Sequence, residues 1–170
     1  MTRYFDASAL VKRYVRETGS LVVRRLLATG IVATSRLSEV EVSSGIVRRA
    51  REGAFTAQRR DRALAALVAD LPALAMVEVI PEITADARAL LLRRTLRASD
   101  AIQLASCLYL QRQLGQPVPF VAFDQRLVEA AHAEGLSVVT TSSDRRRRTT
   151  ATRRRLQNTR DDDSPRGETQ

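Results

Sequence analysis

The segment Arg3-Tyr4-Phe5-Asp6-Ala7-Ser8-Ala9-Leu10 indicates the fold class of the whole chain. Its first three residues predict a short strand, which ends at Asp6. A helix is predicted directly after it, from Ser8 to Arg16. A strand that runs almost directly into a helix is typical of α/β proteins, in which ligands bind at the carboxyl ends of the strands. Asp6 therefore lies where a functional residue is expected.

Strands and helices continue to alternate along the chain as far as residue 140. Further strands are predicted at 31–33, 76–80, 120–123 and 137–140, and further helices at 20–28, 36–51, 56–70, 83–94, 99–114 and 125–134. The strands are continuous apolar runs, as expected when both faces of a sheet are covered. The order β-α-α-β-α-α-β-α-α-β-α-β predicts an α/β fold with a central, mainly parallel sheet and helices on both faces.

Four acidic residues lie where the chain enters a predicted helix: Asp6, Glu41, Asp100 and Asp124. Asp6 and Asp124 end strands, so the topology alone brings them to one edge of a parallel sheet. Asp100 and Glu41 join that edge only if their helices begin there. Carboxylates that crowd together repel one another, and a divalent cation relieves that repulsion. The pattern therefore predicts an acidic metal site.

Each of these acids also has a purely structural interpretation, because carboxylates stabilise helix N-termini. Asp6 and Asp124 can act as N-caps, Asp100 follows Ser99 in a first turn, and Ser38 with Glu41 fits a capping box. Against the capping box, a helical spacing predicts that Glu41 faces the protein interior, through the set Leu37, Val40, Glu41, Ser44 and Val47. Glu39 lies on a different arc of that helix and is the weaker candidate.

The composition favours a nucleic acid as the substrate. The formal charge is +9, with 28 basic and 19 acidic residues. An acidic pocket in a basic domain suits a phosphodiester, because arginines attract the backbone while carboxylates hold a metal. The single cysteine, Cys107, excludes an internal disulfide. No apolar run reaches the ~20 residues of a membrane span, and no signal peptide is recognised, so we expect a cytoplasmic protein without a membrane partner.

A change in composition near residue 142 predicts the end of the folded domain. Residues 1–141 carry the periodic pattern, whereas 142–170 are polar and include the arginine runs 145–148 and 153–155. Such a composition predicts a disordered, Arg-rich C-terminal tail. Its arginines could serve as a non-specific RNA tether or have no role.

The four acids and their surroundings resemble the motifs of the PIN-domain ribonucleases, and among these the VapC toxins of VapBC-type toxin–antitoxin pairs. The resemblance covers residues 1 to about 141. Its four segments, in order, are Tyr4-Phe5-Asp6-Ala7-Ser8-Ala9-Leu10, Ser35-Arg36-Leu37-Ser38-Glu39-Val40-Glu41, Ser99-Asp100-Ala101-Ile102-Gln103-Leu104-Ala105 and Phe120-Val121-Ala122-Phe123-Asp124-Gln125-Arg126-Leu127. Two positions differ from common family residues. Ala122 replaces a Thr or Ser, and Gln103 replaces a His.

The resemblance implies a PIN-like three-layer α/β/α sandwich and a Mg2+-dependent endoribonuclease, with Mn2+ as a possible substitute. Asp6 and Asp100 are then the expected direct metal ligands. Glu41 and Asp124 would hold metal-bound waters or a second ion. The expected partners are the RNA substrate, a cognate antitoxin protein and a second copy of the chain in a homodimer.

Two other functions stay open at the level of sequence. A PIN-like domain could bind RNA without cutting it. A phospho-receiver domain also clusters acids at strand ends, but it needs an aspartate after the middle strand. The predicted middle strand ends in Val79-Ile80-Pro81-Glu82, which makes a receiver the weaker alternative.

Overall fold

A five-stranded parallel sheet lies at the centre of the computed structural model, which describes residues 1–140. Its strands are β1 Thr2–Phe5, β2 Ile31–Ser35, β3 Ala75–Val77, β4 Phe120–Val121 and β5 Val138–Val139. The strand order is β3-β2-β1-β4-β5, and every neighbouring pair runs parallel. The predicted parallel sheet is therefore confirmed.

Seven α-helices connect the strands in the described part of the chain. They are α1 Ala7–Leu10, α2 Ser20–Leu27, α3 Leu37–Arg51, α4 Ala57–Asp70, α5 Pro81–Arg93, α6 Ala98–Leu114 and α7 Gln125–Ala133, with short 3-10 helices at Val11–Arg13 and Leu71–Ala73. Within residues 1–140, no helix has the length and apolar character needed to cross a membrane.

Successive side chains of each strand point to opposite faces of the sheet and so build two separate cores. Tyr4 and Phe120 stack on one face, where they pack with side chains of α5, α6 and α7. Phe5 and Val121 point to the other face, which is covered by α1 to α4. The result is the predicted three-layer α/β/α sandwich.

The order in which strands are added to the sheet reverses direction between β1 and β4. Strands β1, β2 and β3 proceed towards one edge, and β4 and β5 are then added on the other side of β1. In such sheets the crevice at the carboxyl ends of the two strands at the reversal is the usual ligand site. Asp6 follows β1 and Asp124 follows β4, so both acids lie at this crevice.

Several element boundaries differ from the predicted ones. The first helix is shorter than predicted, because α1 tightens into the 3-10 helix after Leu10. Strand β3 ends at Val77 rather than at residue 80, and Pro81 begins α5, where its missing N–H is not needed. The predicted tail, residues 142–170, lies outside the described residues, so the boundary at 141 stays a prediction.

A tight turn before β2 requires glycine. Gly30 has a φ of 79°, a left-handed conformation that side chains rarely adopt. A Cβ atom at this position would lie 2.2 Å from the main-chain oxygen of Met1. The next residue, Ile31, donates its N–H to that same oxygen over 3.1 Å. The glycine thus permits β1 and β2 to pair at their first residues.

Candidate active site

Asp6 connects the two central strands at the sheet edge. Its main-chain N–H donates to the carbonyl oxygen of Val121 over 3.0 Å, which ties the end of β1 to the end of β4. Its side chain caps α1 by accepting a hydrogen bond from the Ser8 N–H over 3.1 Å and a second one from the Ser8 hydroxyl. The residue is only 4% exposed. The predicted N-cap is therefore formed, at a buried position.

The electrostatic state of Asp6 is unusual for a carboxylate. Burial, together with the negative charges of Glu41 and Asp100, raises its pKa from 3.8 to about 7, against the opposing effect of the Ser8 hydrogen bonds. Two of the other predicted acids therefore act on Asp6 electrostatically. A carboxyl group with this pKa holds a proton for part of the time at neutral pH, and a bound cation would remove the need for that proton.

Asp124 and Asp100 cap the two helices on the neighbouring side of the site. The Asp124 Oδ1 accepts hydrogen bonds from the N–H groups of Arg126 and Leu127, at 3.0 and 3.2 Å. The Asp100 Oδ2 accepts from the Arg97 N–H over 3.2 Å. Burial raises the pKa of Asp100, the Arg97 hydrogen bond lowers it, and the charge of Asp124 adds to the increase. Helix α6 begins at Ala98, one residue before the predicted start, and its N-cap is Arg97.

The capping box predicted for Ser38 and Glu41 is not formed. Helix α3 begins at Leu37 with Arg36 as its N-cap, so Ser38 lies inside the first turn, where its hydroxyl faces the protein interior. The predicted buried stripe of α3 is also wrong, since Val40 is 66% exposed and the buried residues include Val42 and Ile46.

Glu41 lies at the border of the buried face of α3, and it is half-buried. Its Oε2 accepts a hydrogen bond of 2.6 Å from the Nε2 of Gln103 on α6. Glu39, the weaker candidate, points elsewhere: it pairs with Arg36 over 3.5 Å and its side chain is 42% exposed. The structure thus directs Glu41, and not Glu39, towards α6.

Gln103 is the residue of the site that sequence reasoning missed. It is buried, and its Nε2 donates both to Glu41 and, over 2.9 Å, to the Ser38 Oγ, while its Oε1 accepts from the Tyr4 hydroxyl over 2.8 Å. The Ser38 hydroxyl is 2.6 Å from that of Thr34, which donates to the Phe5 carbonyl. The feature of the sequence that could have identified it is a polar side chain between the apolar Ile102 and Leu104, three residues after Asp100.

This network fixes the orientation of the Gln103 amide. If the amide were reversed, its oxygen would face the carboxylate of Glu41, and two acceptors would then be in contact. The buried amide also has both of its Nε2 hydrogens and its oxygen engaged. Gln103 therefore holds the Glu41 carboxylate in one place relative to the sheet.

Replacement of the common Thr or Ser by Ala122 leaves Asp124 without a hydroxyl group at that position. Ala122 is fully buried in the core on the α5–α7 face. The support for Asp124 comes instead from the two N–H groups at the start of α7. The carboxylate thus keeps hydrogen-bond donors despite the substitution.

The four acids form no close ion pair in the described part of the chain. Within residues 1–140, none of Asp6, Glu41, Asp100 and Asp124 forms an ion pair within 4.0 Å, although twelve other pairs do. In the same residues, no three acidic, histidine or cysteine side chains converge as they would around a bound ion. Each carboxylate faces its own hydrogen-bond donors instead.

The donor chemistry nevertheless fits a hard divalent cation. Mg2+ and Mn2+ prefer carboxylate oxygens, and a carboxylate has further acceptor sites beyond those used in capping. The raised pKa of Asp6, caused first by burial and then by Glu41 and Asp100, shows that negative charge is disfavoured here without a cation. The residues present therefore suit such an ion.

Comparisons with known proteins agree with this geometry. The PIN domain family matches residues 3–133. Ribonuclease VapC45 and Ribonuclease VapC49, from two strains of Mycobacterium tuberculosis, are each 34% identical over 137 residues, which cover 79% of this chain and 92% of each relative.

Solved structures show the same fold at lower sequence identity. Mycobacterium tuberculosis VapC20, described as a sarcin-ricin loop cleaving toxin, superposes with a TM-score of 0.59 and 21% identity over 76% of this chain and 95% of its own. VapBC-5 from the same species gives 0.56 and 15%, over 82% and 98%. VapBC2 from Rickettsia felis, bound to a promoter DNA fragment, gives 0.59 and 11%, over 84% and 100%. Together with the motifs at the sheet edge, the match to the family model and the two relatives at 34% identity establish that the chain belongs to the PIN-domain family, among the VapC ribonucleases.

Proposed function

We propose that this protein is the toxin of a VapBC-type pair and that it hydrolyses RNA phosphodiester bonds as a Mg2+-dependent endoribonuclease. The observation that carries the proposal is the position of Asp6 and Asp124 directly after the two strands at the reversal, together with the electrostatic effect of Glu41 and Asp100 on the buried Asp6. Asp6, Glu41, Asp100 and Asp124 form the catalytic site in this proposal. PIN-domain nucleases are metal-dependent as a family, and the choice of Mg2+, with Mn2+ as a substitute, belongs to the proposal.

In the proposed site, Asp6 and Asp100 hold the metal directly, and Glu41 and Asp124 orient water or a second ion. When bound, the metal supplies Lewis-acid stabilisation of the phosphodiester and lowers the pKa of an attacking water. Gln103 keeps the Glu41 carboxylate in position, and the Arg126 and Leu127 N–H groups do the same for Asp124. The helix N-termini at this edge add positive partial charge next to the substrate phosphate.

The proposed partners follow from the relatives. Two of the structural neighbours are VapBC assemblies, from Mycobacterium tuberculosis and Rickettsia felis. We propose that this chain likewise pairs with a cognate antitoxin that occupies the active-site groove. A homodimer and a cytoplasmic location stay predictions.

Cleavage of a labelled RNA tests the proposed function. Purified protein is incubated with a 5′-fluorescent RNA in Mg2+ or in EDTA, and the fragments are separated on a gel. We expect cleavage in Mg2+ alone, and its loss in Asp100→Asn, which keeps the side-chain shape but removes a charge. Asp61→Asn, which alters an exposed carboxylate on α4 that pairs with Arg60, is the matched control.

Wild-type cleavage rates in the Asp100→Asn protein would contradict the site assignment. If the wild-type protein binds the RNA in Mg2+ but leaves it intact, the alternative of a non-cleaving RNA-binding PIN-like domain is favoured instead.

A further inference from the structure

A cavity opens directly beside the acidic edge. It has a volume of about 280 Å3, and Ser8 and Asp124 line it on the side of the candidate active site. Three cations, Lys12, Arg48 and Arg49, also line it, together with Glu17 and three uncharged residues. The cavity therefore carries a net positive charge next to Asp124, one of the four acids.

Glu17 lies between two of these cations and pairs with both. Its Oε1 is 2.5 Å from the Lys12 Nζ, and its Oε2 is 2.6 Å from an Arg49 guanidinium nitrogen. Burial raises the pKa of Glu17, but the hydrogen bonds from Lys12 and Arg49 outweigh it and hold the pKa below its usual range. Each oxygen of the Glu17 carboxylate thus pairs with a different cation. The two unbridged oxygens of a phosphodiester can bind a pair of cations in the same way.

The two cations that pair with Glu17 differ in their access to solvent. The Lys12 side chain is 11% exposed, and its ammonium also lies 4.8 Å above the ring of Phe123. The Arg49 side chain is 42% exposed and can reach a ligand in the cavity. If Arg49 turns towards such a ligand, Lys12 still neutralises Glu17, so the carboxylate is not left buried without a partner.

Arg48 presents a further charge at the mouth of the cavity. Its contact with Glu52 is 3.9 Å long and its side chain is 73% exposed. Ion pairs of this length and exposure contribute little stability. Its guanidinium is therefore available to an incoming anion at little energetic expense.

We propose that this cavity is a phosphate subsite for the RNA strand, next to the position of the scissile phosphodiester. Arg48 and Arg49 bind the phosphate of a neighbouring nucleotide, and Glu17 competes with that phosphate for Arg49. This inference rests on the proposed function for the identity of the strand, since the cavity opens onto the site where the RNA would be cut. Single-stranded RNA fits better than an acidic protein segment, because Ser8 and Asp124 line this cavity and also belong to the candidate active site, so a phosphate next to the cleaved one would lie close to the arginines.

Binding of a fluorescent single-stranded RNA in EDTA tests the subsite separately from cleavage. Anisotropy gives the Kd at several salt concentrations for wild type and for Arg48→Gln, Arg49→Gln and Glu17→Gln. Arg88→Gln is the matched control, because Arg88 is an exposed residue of α5 on the opposite face of the sheet.

We expect Arg48→Gln and Arg49→Gln to weaken binding roughly five- to tenfold and to reduce the slope of log K against log salt by about 0.7, since each loses a phosphate contact. Glu17→Gln should tighten binding by a few-fold, since the competing carboxylate is gone. Arg88→Gln should bind like wild type. In Mg2+, Arg48→Gln should raise KM and leave kcat nearly unchanged, and melting curves verify that each variant is folded.

The outcomes separate this inference from the proposed function. If cleavage depends on Asp100 but Arg48→Gln and Arg49→Gln bind RNA as Arg88→Gln does, the subsite is wrong and the function stands. If the arginine variants lose RNA affinity but the protein does not cleave, the subsite stands without the enzyme. If RNA binding is unchanged while affinity for a polyglutamate peptide falls, the cavity binds an acidic protein instead and the proposal is overturned.

Discussion

Asp6→Asn should make the metal-free protein less sensitive to pH. Burial, together with the charges of Glu41 and Asp100, raises the pKa of Asp6 from 3.8 to about 7. Between these values the native state binds more protons at this position than the unfolded state, so the free energy of unfolding falls as the pH rises. The stabilisation that comes from protonation of Asp6 in the native state is fully present below pH 3.8 and is lost above pH 7. Asparagine does not titrate and removes the effect.

The size of the effect follows from the shift in pKa. One pKa unit corresponds to about 1.4 kcal/mol. Two pH units separate pH 5 from the native pKa of Asp6, about 7. Over the interval from pH 5 to pH 8, the titration of Asp6 therefore lowers the free energy of unfolding of the wild-type protein by roughly 3 kcal/mol. For a domain of this size that corresponds to a change in Tm on the order of 8 °C.

The assay is thermal or urea unfolding in EDTA at pH 5 and pH 8. The decisive quantity is the difference in stability between Asp6→Asn and wild type at each pH. This difference should shift in favour of the variant by roughly 3 kcal/mol on going to pH 8. Asp61→Asn, at an exposed position on α4, should show no such shift. A pH-independent difference for Asp6→Asn would refute the reasoning, because it would mean that Asp6 titrates like an ordinary carboxyl.

Four further predictions follow from the structure and the sequence. Millimolar Mn2+ should raise the Tm of wild type by several degrees and that of Asp6→Asn by clearly less; equal increases would mean that the ions bind elsewhere. Gln103→Leu should lower kcat by tenfold or more, since Glu41 loses its donor, and Gln103→His should restore part of the rate; a wild-type rate for the leucine variant would remove Gln103 from the positioning of Glu41. Gly30→Ala should lower the free energy of unfolding by about 2 kcal/mol or more through backbone strain and contact with a carbonyl, as measured in urea. Deletion of residues 143–170 should weaken RNA binding and flatten its salt dependence without changing kcat at saturating RNA; lost turnover would place the domain boundary elsewhere.

The fold could be predicted because the relevant signals are local. Continuous apolar runs identified the buried strands, and the alternation of strands with helices indicated parallel pairing. The meeting of Asp6 and Asp124 followed from this topology, since each directly follows one of the two central strands. Boundaries were less accurate where one residue can serve two elements, as with Pro81, which ends an apolar run and also begins α5.

The inner part of the site could not be predicted, because it depends on packing between distant helices. Gln103 and Glu41 are 62 positions apart in the sequence and lie on α6 and α3. Ser38 has the spacing of a capping residue with Glu41, yet its hydroxyl bonds to Thr34 because the helix begins at Leu37. The structural and the functional interpretation of the acids also do not exclude each other. Asp6, Asp100 and Asp124 each accept hydrogen bonds at a helix N-terminus, and they still influence one another electrostatically.

The hydrogen bond between Asp6 and Val121 has a consequence for synthesis of the protein on the ribosome. The two residues are more than a hundred positions apart. Asp6 therefore leaves the ribosome early, and nearly the whole domain must be synthesised before β4 can pair with β1. Contacts of such long sequence separation form late in folding. A nascent chain that lacks β4 also lacks Asp124, and its Asp6 has no Val121 carbonyl to bind. With the proposed role of Asp124 in catalysis, most of the polypeptide would leave the ribosome before the chain could cut RNA.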